Sequence, residues 1–157
     1  MADATHDLVV KTIAATRFPF PDQTTWPAGY VTNVNAGNPQ IAIDTPAGKH
    51  YPDIVITDAT GRIREMGEVE MAISEAALPY MTAGSALTDN DTPTKVKHFF
   101  VYVPAGQEEK AKTLLEGANI SYAGVRGFTV EDGKVGIVPF ATAGDSYDHQ
   151  VTAPIAV

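Results

Sequence analysis

The sequence predicts an α/β domain, a mixed β-sheet flanked by helices with an αβββαβ core and a C-terminal hairpin. Three observations carry this. Residues 51–71 (YPDIVITDATGRIREMGEVEM) read as two antiparallel strands around a Thr60-Gly61 turn, where glycine is free to take positive φ. His98–Val103 (HFFVYV) is an almost unbroken apolar run, the mark of a strand covered on both faces. Helical stretches follow each of these segments, beginning at Ser74 and at Gln107, as crossover connections between parallel strands require.

Residues 5–17 form the first helix. Thr5 can cap it, Asp7 sits in the first turn where the helix dipole favours a carboxylate, and Leu8, Val9 and Ile13 share one face. Asp7 and Lys11 have the i,i+4 spacing of an ion pair. Phe18–Pro27 (FPFPDQTTWP) ends the helix with three prolines and places aromatics over an edge of the core. Tyr30–Asn35 is a short extra strand. Gln40–Thr45, closed by the Pro46-Ala47-Gly48 turn, is the first strand of a three-stranded meander, and the hairpin at 51–71 supplies the other two. Pro52 opens the middle strand, where a missing N–H does little harm, and Ile54, Val55 and Ile56 give it β-branched bulk.

Ser74 caps the second helix, whose first turn carries Glu75 and which Pro79 weakens or bends on the way to Tyr80 and Met81. Leu87–Thr94 is a polar loop. The third helix runs from about Gln107 to Gly117, with Glu108 and Glu109 at its start and Ala111, Leu114 and Leu115 on its inner face. A hairpin follows, Gly127–Glu131 and Val135–Phe140 about Asp132-Gly133. Residues 141–157 are a loosely patterned tail, and residues 1–157 read as one domain.

Composition narrows the function. At 157 residues and 44% hydrophobic content the chain can bury a core without staples. It has no cysteine, which excludes disulfides and thiolate zinc sites, and its four histidines (His6, His50, His98, His149) lack ligand spacing for zinc. The start, MADATHDLVV, has neither the basic nor the apolar region of a signal peptide, and no apolar run approaches the ~20 residues of a membrane helix. A cytoplasmic protein without a membrane partner is expected. The net charge of −8 opposes sequence-blind nucleic-acid binding, which depends on Lys and Arg neutralising phosphates.

The central hairpin carries the chemistry. A two- or four-residue loop places Asp53 directly across from Glu68, and strand alternation puts Glu68 and Glu70 on that same face. Like charges facing across strands destabilise a sheet, so three clustered carboxylates ask for a cation, and hard oxygen ligands suit Mg²⁺, Mn²⁺ or Ca²⁺. The plainer alternative is a polar hairpin face turned to water and screened by salt.

Pro52-Asp53-Ile54-Val55, Gly61-Arg62 and Gly67-Glu68-Val69-Glu70, in a helix–three strands–helix–strand order over residues 5–117, resemble the PD-(D/E)XK superfamily, whose fold is restriction-endonuclease-like. They are nearest to a prokaryotic branch with a PDxV…GEVE pattern. The later strand Phe99–Pro104, leading into a charged helix, also fits that branch. The resemblance implies a metal-dependent nuclease in which Asp53 and Glu68 ligate Mg²⁺ or Mn²⁺ with the Val69 carbonyl as a third oxygen. Glu70 stands where the superfamily usually has lysine, so the positive charge must come from Lys49, Lys95 or Lys97; Asp7 is the matching acid on the first helix. Ser74 and Glu75 read as a helix cap and its dipole partner rather than as site residues.

Two functions are compatible with these residues. One is a nuclease with catalytic residues Asp53, Glu68, Glu70 and Lys49, given DNA affinity by a partner subunit. The other is a catalytically silent protein of the same fold that serves as a binding or assembly module. The aromatic segment Phe18, Phe20, Trp26 and Tyr30 and the unpatterned tail suit a homodimer, the commonest oligomer, or else cap the monomer's own core. Light scattering at micromolar concentration decides this: twice the chain mass is expected of the dimer, and the monomer mass removes it.

Overall fold

The computed structural model describes residues 4–17, 29, 31–88 and 99–142. Helix α1 (Ala4–Arg17) precedes β1 (Val31–Val34), β2 (Ile43–Thr45), β3 (Gly48–His50), β4 (Ile54–Thr57) and β5 (Ile63–Val69). Then come α2 (Leu78–Leu87), β6 (Phe99–Pro104), α3 (Glu108–Gly117), β7 (Gly124–Glu131) and β8 (Lys134–Thr142). Six strands form one mixed sheet in the order β1-β4-β5-β6-β7-β8, while β2 and β3 pair only with each other. The pairs within β4-β5-β1 and β7-β8 are antiparallel, and β5-β6-β7 run parallel through the crossovers of α2 and α3. The α/β class is as expected.

Alternation along the central strands divides the core into two layers. Val9, Val10 and Ile13 of α1 pack with Ile54, Ile56, Val69, Phe100 and Tyr102 on one face. Ala77 and Met81, with Ala111 and Leu115 of α3, cover Met66, Phe99, Val101 and Val103 on the other. Every residue from Phe99 to Val103 is therefore buried, which is why that run carries no polar alternation. Gly84 lets α2 lie close to the sheet, since a Cβ there would stand 2.7 Å from Met66 Sδ and 3.1 Å from Phe99 Cε1.

The meander differs from expectation. The partner of β4 is β1, register Val34↔Ile54, not the 40–45 strand. Residues 43–50 instead form a separate hairpin inserted between β1 and β4. Buried Asn35 is the physical reason. Its backbone N–H reaches the Asp53 carbonyl (3.0 Å), and its Nδ2 donates to the carbonyls of Ile41 (2.8 Å) and Pro52 (2.5 Å). Its Oδ1 accepts from the N–H groups of Gln40 (2.7 Å) and Ile41 (3.0 Å). One amide thus ties the chain at 40–41 to the entry of β4 and turns the next residues out of the main sheet.

Two smaller differences follow from local chemistry. Ser74 does cap, its Oγ accepting from Ala76 N–H at 3.3 Å, but the turn it caps is a 3-10 turn over Glu75–Ala77. Pro79 then falls in the first turn of α2, where its missing N–H is harmless, so it opens that helix rather than bending it. α3 ends at Gly117 as expected, and the left-handed residue just beyond it is Asn119 (φ 57°). The β7–β8 turn has the expected positive φ at Asp132 (51°) and Gly133 (76°).

Phe18, Phe20, Trp26, Tyr30, Lys95, Lys97 and the tail from residue 143 lie outside the described residues. Replacing Asn35 with Ala leaves several buried backbone groups unpaired next to Asp53. A loss of about 1–3 kcal/mol is expected on the usual cost of such groups, read from the midpoint of urea unfolding at unchanged slope.

Candidate active site

The site is built on the β4–β5 hairpin, and its register depends on a bulge. The connection from Asp58 to Arg62 has five residues, not two or four, and is closed by Asp58 N–H to the Arg62 carbonyl (2.9 Å). Asp58 Oδ1 holds it from within, accepting from Thr60 N–H (2.9 Å), Thr60 Oγ1 (2.7 Å) and Arg62 N–H (3.1 Å). Such a loop alone would put Asp53 out of step with Glu68. The pairing Thr57↔Ile63 gives way to Ile56↔Glu65, however, so the bulge takes up Arg64 and the expected register returns.

With Ile54 opposite Gly67, Asp53 stands one step further, opposite Glu68. Val69 N–H donates to Asp53 Oδ2 at 2.7 Å, which fixes the carboxylate against the next strand. Glu68 and Glu70 alternate with Val69, whose side chain packs in the α1 layer, and so both project to the opposite face. The three carboxylates feel one another: burial pushes the Glu68 carboxyl well above the usual range, and the charges of Asp53 and Glu70 push it further. At 1% exposure Glu68 is no solvated surface group, which removes the reading of this face as one turned to water.

Each acid has a partner from elsewhere in the chain. His6 of α1 places Nε2 3.1 Å from Asp53 Oδ1 and Nδ1 3.1 Å from Asp7 Oδ1. Both ring nitrogens face carboxylates, so both must donate, which requires the imidazolium. The hydrogen bond to Asp53 accordingly pushes His6 up to about 9. His50 of β3 places Nε2 2.8 Å from Glu68 Oε2, yet burial pushes this imidazole down. Both shifts in that pair oppose the charged forms. Tyr80 of α2 donates its hydroxyl to Glu70 Oε2 at 2.6 Å. Burial raises the Glu70 carboxyl, and the Tyr80 hydrogen bond works against that rise.

Of the expected residues, the structure brings Asp53, Glu68 and Glu70 together and adds Asp7 through His6. Lys49 does not join them. It is mostly exposed (69%) and pairs with Asp44 at 3.1 Å, its neighbour across β2–β3, while the adjacent residue His50 reaches the site. Arg64 lies with Asp58 (3.9 Å) at the turn end of the hairpin. His6, His50 and Tyr80 were not identifiable as site residues from sequence. They are 44 and 30 residues apart along the chain, so no spacing rule links them. The one local signal was that His50 lies three positions before Asp53.

Among the described residues, no group of three or more His, Asp or Glu side chains is placed to hold a metal ion. That arrangement does not suit a metal caged wholly by protein. Any Mg²⁺ or Mn²⁺ here would have to be held by the one or two carboxylates of Glu68 and Asp53 with water completing its shell.

The electrostatics predict a pH effect in metal-free protein. His6 binds its proton more tightly folded than unfolded, so its contribution is complete below about 6.5 and is lost as pH rises through about 9. Stability should fall across that window in the wild type. In His6→Gln this part of the slope should disappear, as followed by urea unfolding at successive pH values.

Compared with known sequences, the chain matches no family model and no curated protein.

Proposed function

We propose that this chain is a divalent-metal-dependent nuclease of the PD-(D/E)XK type, with a restriction-endonuclease-like core. The observation that carries the reading is a buried Glu68 held opposite Asp53 across β4–β5. A folded protein gains nothing in stability from such a pair, because burial and like charge both oppose ionisation. A cation between them reverses that balance.

Asp53 and Glu68 are the residues that would hold the ion, with the Val69 carbonyl beside them. When bound, Mg²⁺ or Mn²⁺ supplies a water of lowered pKa and stabilises charge building on a scissile phosphodiester. Val69 N–H and His6 keep the Asp53 carboxylate oriented through its two oxygens. Tyr80 draws Glu70 toward α2, so Glu70 is held apart at the position where the superfamily usually has lysine. Among the described residues, the group beside Asp53 where that cation is needed is His6, bridged between Asp7 and Asp53. The net charge of −8 fits DNA affinity supplied through a partner subunit.

One observation favours the second reading, a silent binding or assembly module. Each of the three acids already has a protein partner, so the site can persist without a metal.

Two measurements separate the readings. Calorimetric titration with Mn²⁺ should release heat from wild type and little from Glu68→Ala. With Mn²⁺, wild type should cleave plasmid or single-stranded DNA, Glu68→Ala should lose cleavage by about two orders of magnitude or more, and Lys49→Ala should keep it. Wild type that cuts neither substrate, or Glu68→Ala that cuts equally well, identifies the silent module.

A further inference from the structure

The inserted β2–β3 hairpin carries a feature that the nuclease reading does not use. The rings of His50 and Tyr80 stack, with centroids 4.0 Å apart and planes 18° from parallel. Each ring holds a different glutamate: His50 Nε2 lies 2.8 Å from Glu68 Oε2, and Tyr80 OH lies 2.6 Å from Glu70 Oε2. The two glutamates project to one face and repel each other, and the two rings come from separate elements, β3 and α2.

From this geometry we infer that His50 and Tyr80 act as one positioning unit, which sets where the Glu68 and Glu70 carboxylates point and so prepares the site for a divalent cation. The inference rests on the metal-binding reading above and assigns a role to a hairpin outside the main sheet.

Three observations support it beyond packing. The β2–β3 strands share no hydrogen-bonded ladder with the six-stranded sheet, so the hairpin adds no strand to it. The hairpin's own apolar anchor is Ile43, directly across from His50 and 4% exposed, so burial alone would be met by an apolar residue at position 50. Both polar ends of the stack are also spent on the acids. Because the rings are in contact, displacement of either one moves the partner of the other glutamate. Groups that orient metal-binding carboxylates in this way typically influence affinity 10- to 100-fold.

The test compares Mn²⁺ affinity in wild type, Tyr80→Phe, His50→Phe and the double variant, with thermal unfolding of each. Both single variants keep a stackable ring and remove one polar contact. Each is expected to bind Mn²⁺ about 10- to 100-fold more weakly. The double variant should be little worse than the poorer single, since members of one unit are not additive. Singles that bind like wild type, or losses that multiply independently in the double variant, overturn the inference while leaving the metal site standing. Wild type that binds no Mn²⁺ overturns the nuclease reading and this inference together. A variant that does not fold is replaced by a measurement on wild type. Saturating Mg²⁺ should shift the ring ¹⁵N resonances of His50, and unmoved resonances overturn the unit.

Discussion

The burial of Glu68 opposite Asp53 is the constraint around which the rest of this molecule is arranged. A carboxyl at 1% exposure cannot be left to water, and a second carboxylate across the strand makes its ionisation harder still. The chain meets this with hydrogen bonds drawn from four separate elements: α1, β3, β5 and α2. Each brings one polar group to one acid. The result resembles a ring of supports around a centre that stores electrostatic cost, the kind of site at which strongly shifted titrations and function tend to coincide.

The two histidines are shifted in opposite directions, and burial explains the difference. His6 lies between two carboxylates at the more open side and carries a proton up to about 9. His50 faces a deeply buried carboxyl that is itself reluctant to ionise, so both shifts in this pair oppose charge. One pair therefore balances charge while the other opposes it. The same residue type does both because desolvation dominates in one place and the neighbouring carboxylates in the other.

The supporting structure shows how local rules are adjusted to keep that centre in register. The five-residue turn held by Asp58 would misalign the hairpin by one residue, and a bulge at Arg64 restores it. Asn35 links β1, the chain at 40–41 and the entry of β4 through one side-chain amide, which displaces residues 43–50 into a hairpin of their own. That displacement is also what brings His50 over β5. A change in strand partner and the composition of the site thus have a common cause.

Sequence alone determined most of the elements and the facing of two of the acids. Apolar alternation, the continuous run Phe99–Val103 and the Asp132-Gly133 turn are local signals, because side-chain period and backbone freedom act over a few residues. The facing of Asp53 and Glu68 was legible for the same reason, since both sit on one short hairpin and strand alternation leaves two choices. Tertiary structure alone decided which strand pairs with β4, that Lys49 turns to Asp44, and that His6, His50 and Tyr80 converge on the acids. Those outcomes depend on contacts between residues far apart in the chain, where the winning partner is chosen by burial and hydrogen-bond satisfaction across the whole core. No local pattern encodes that competition.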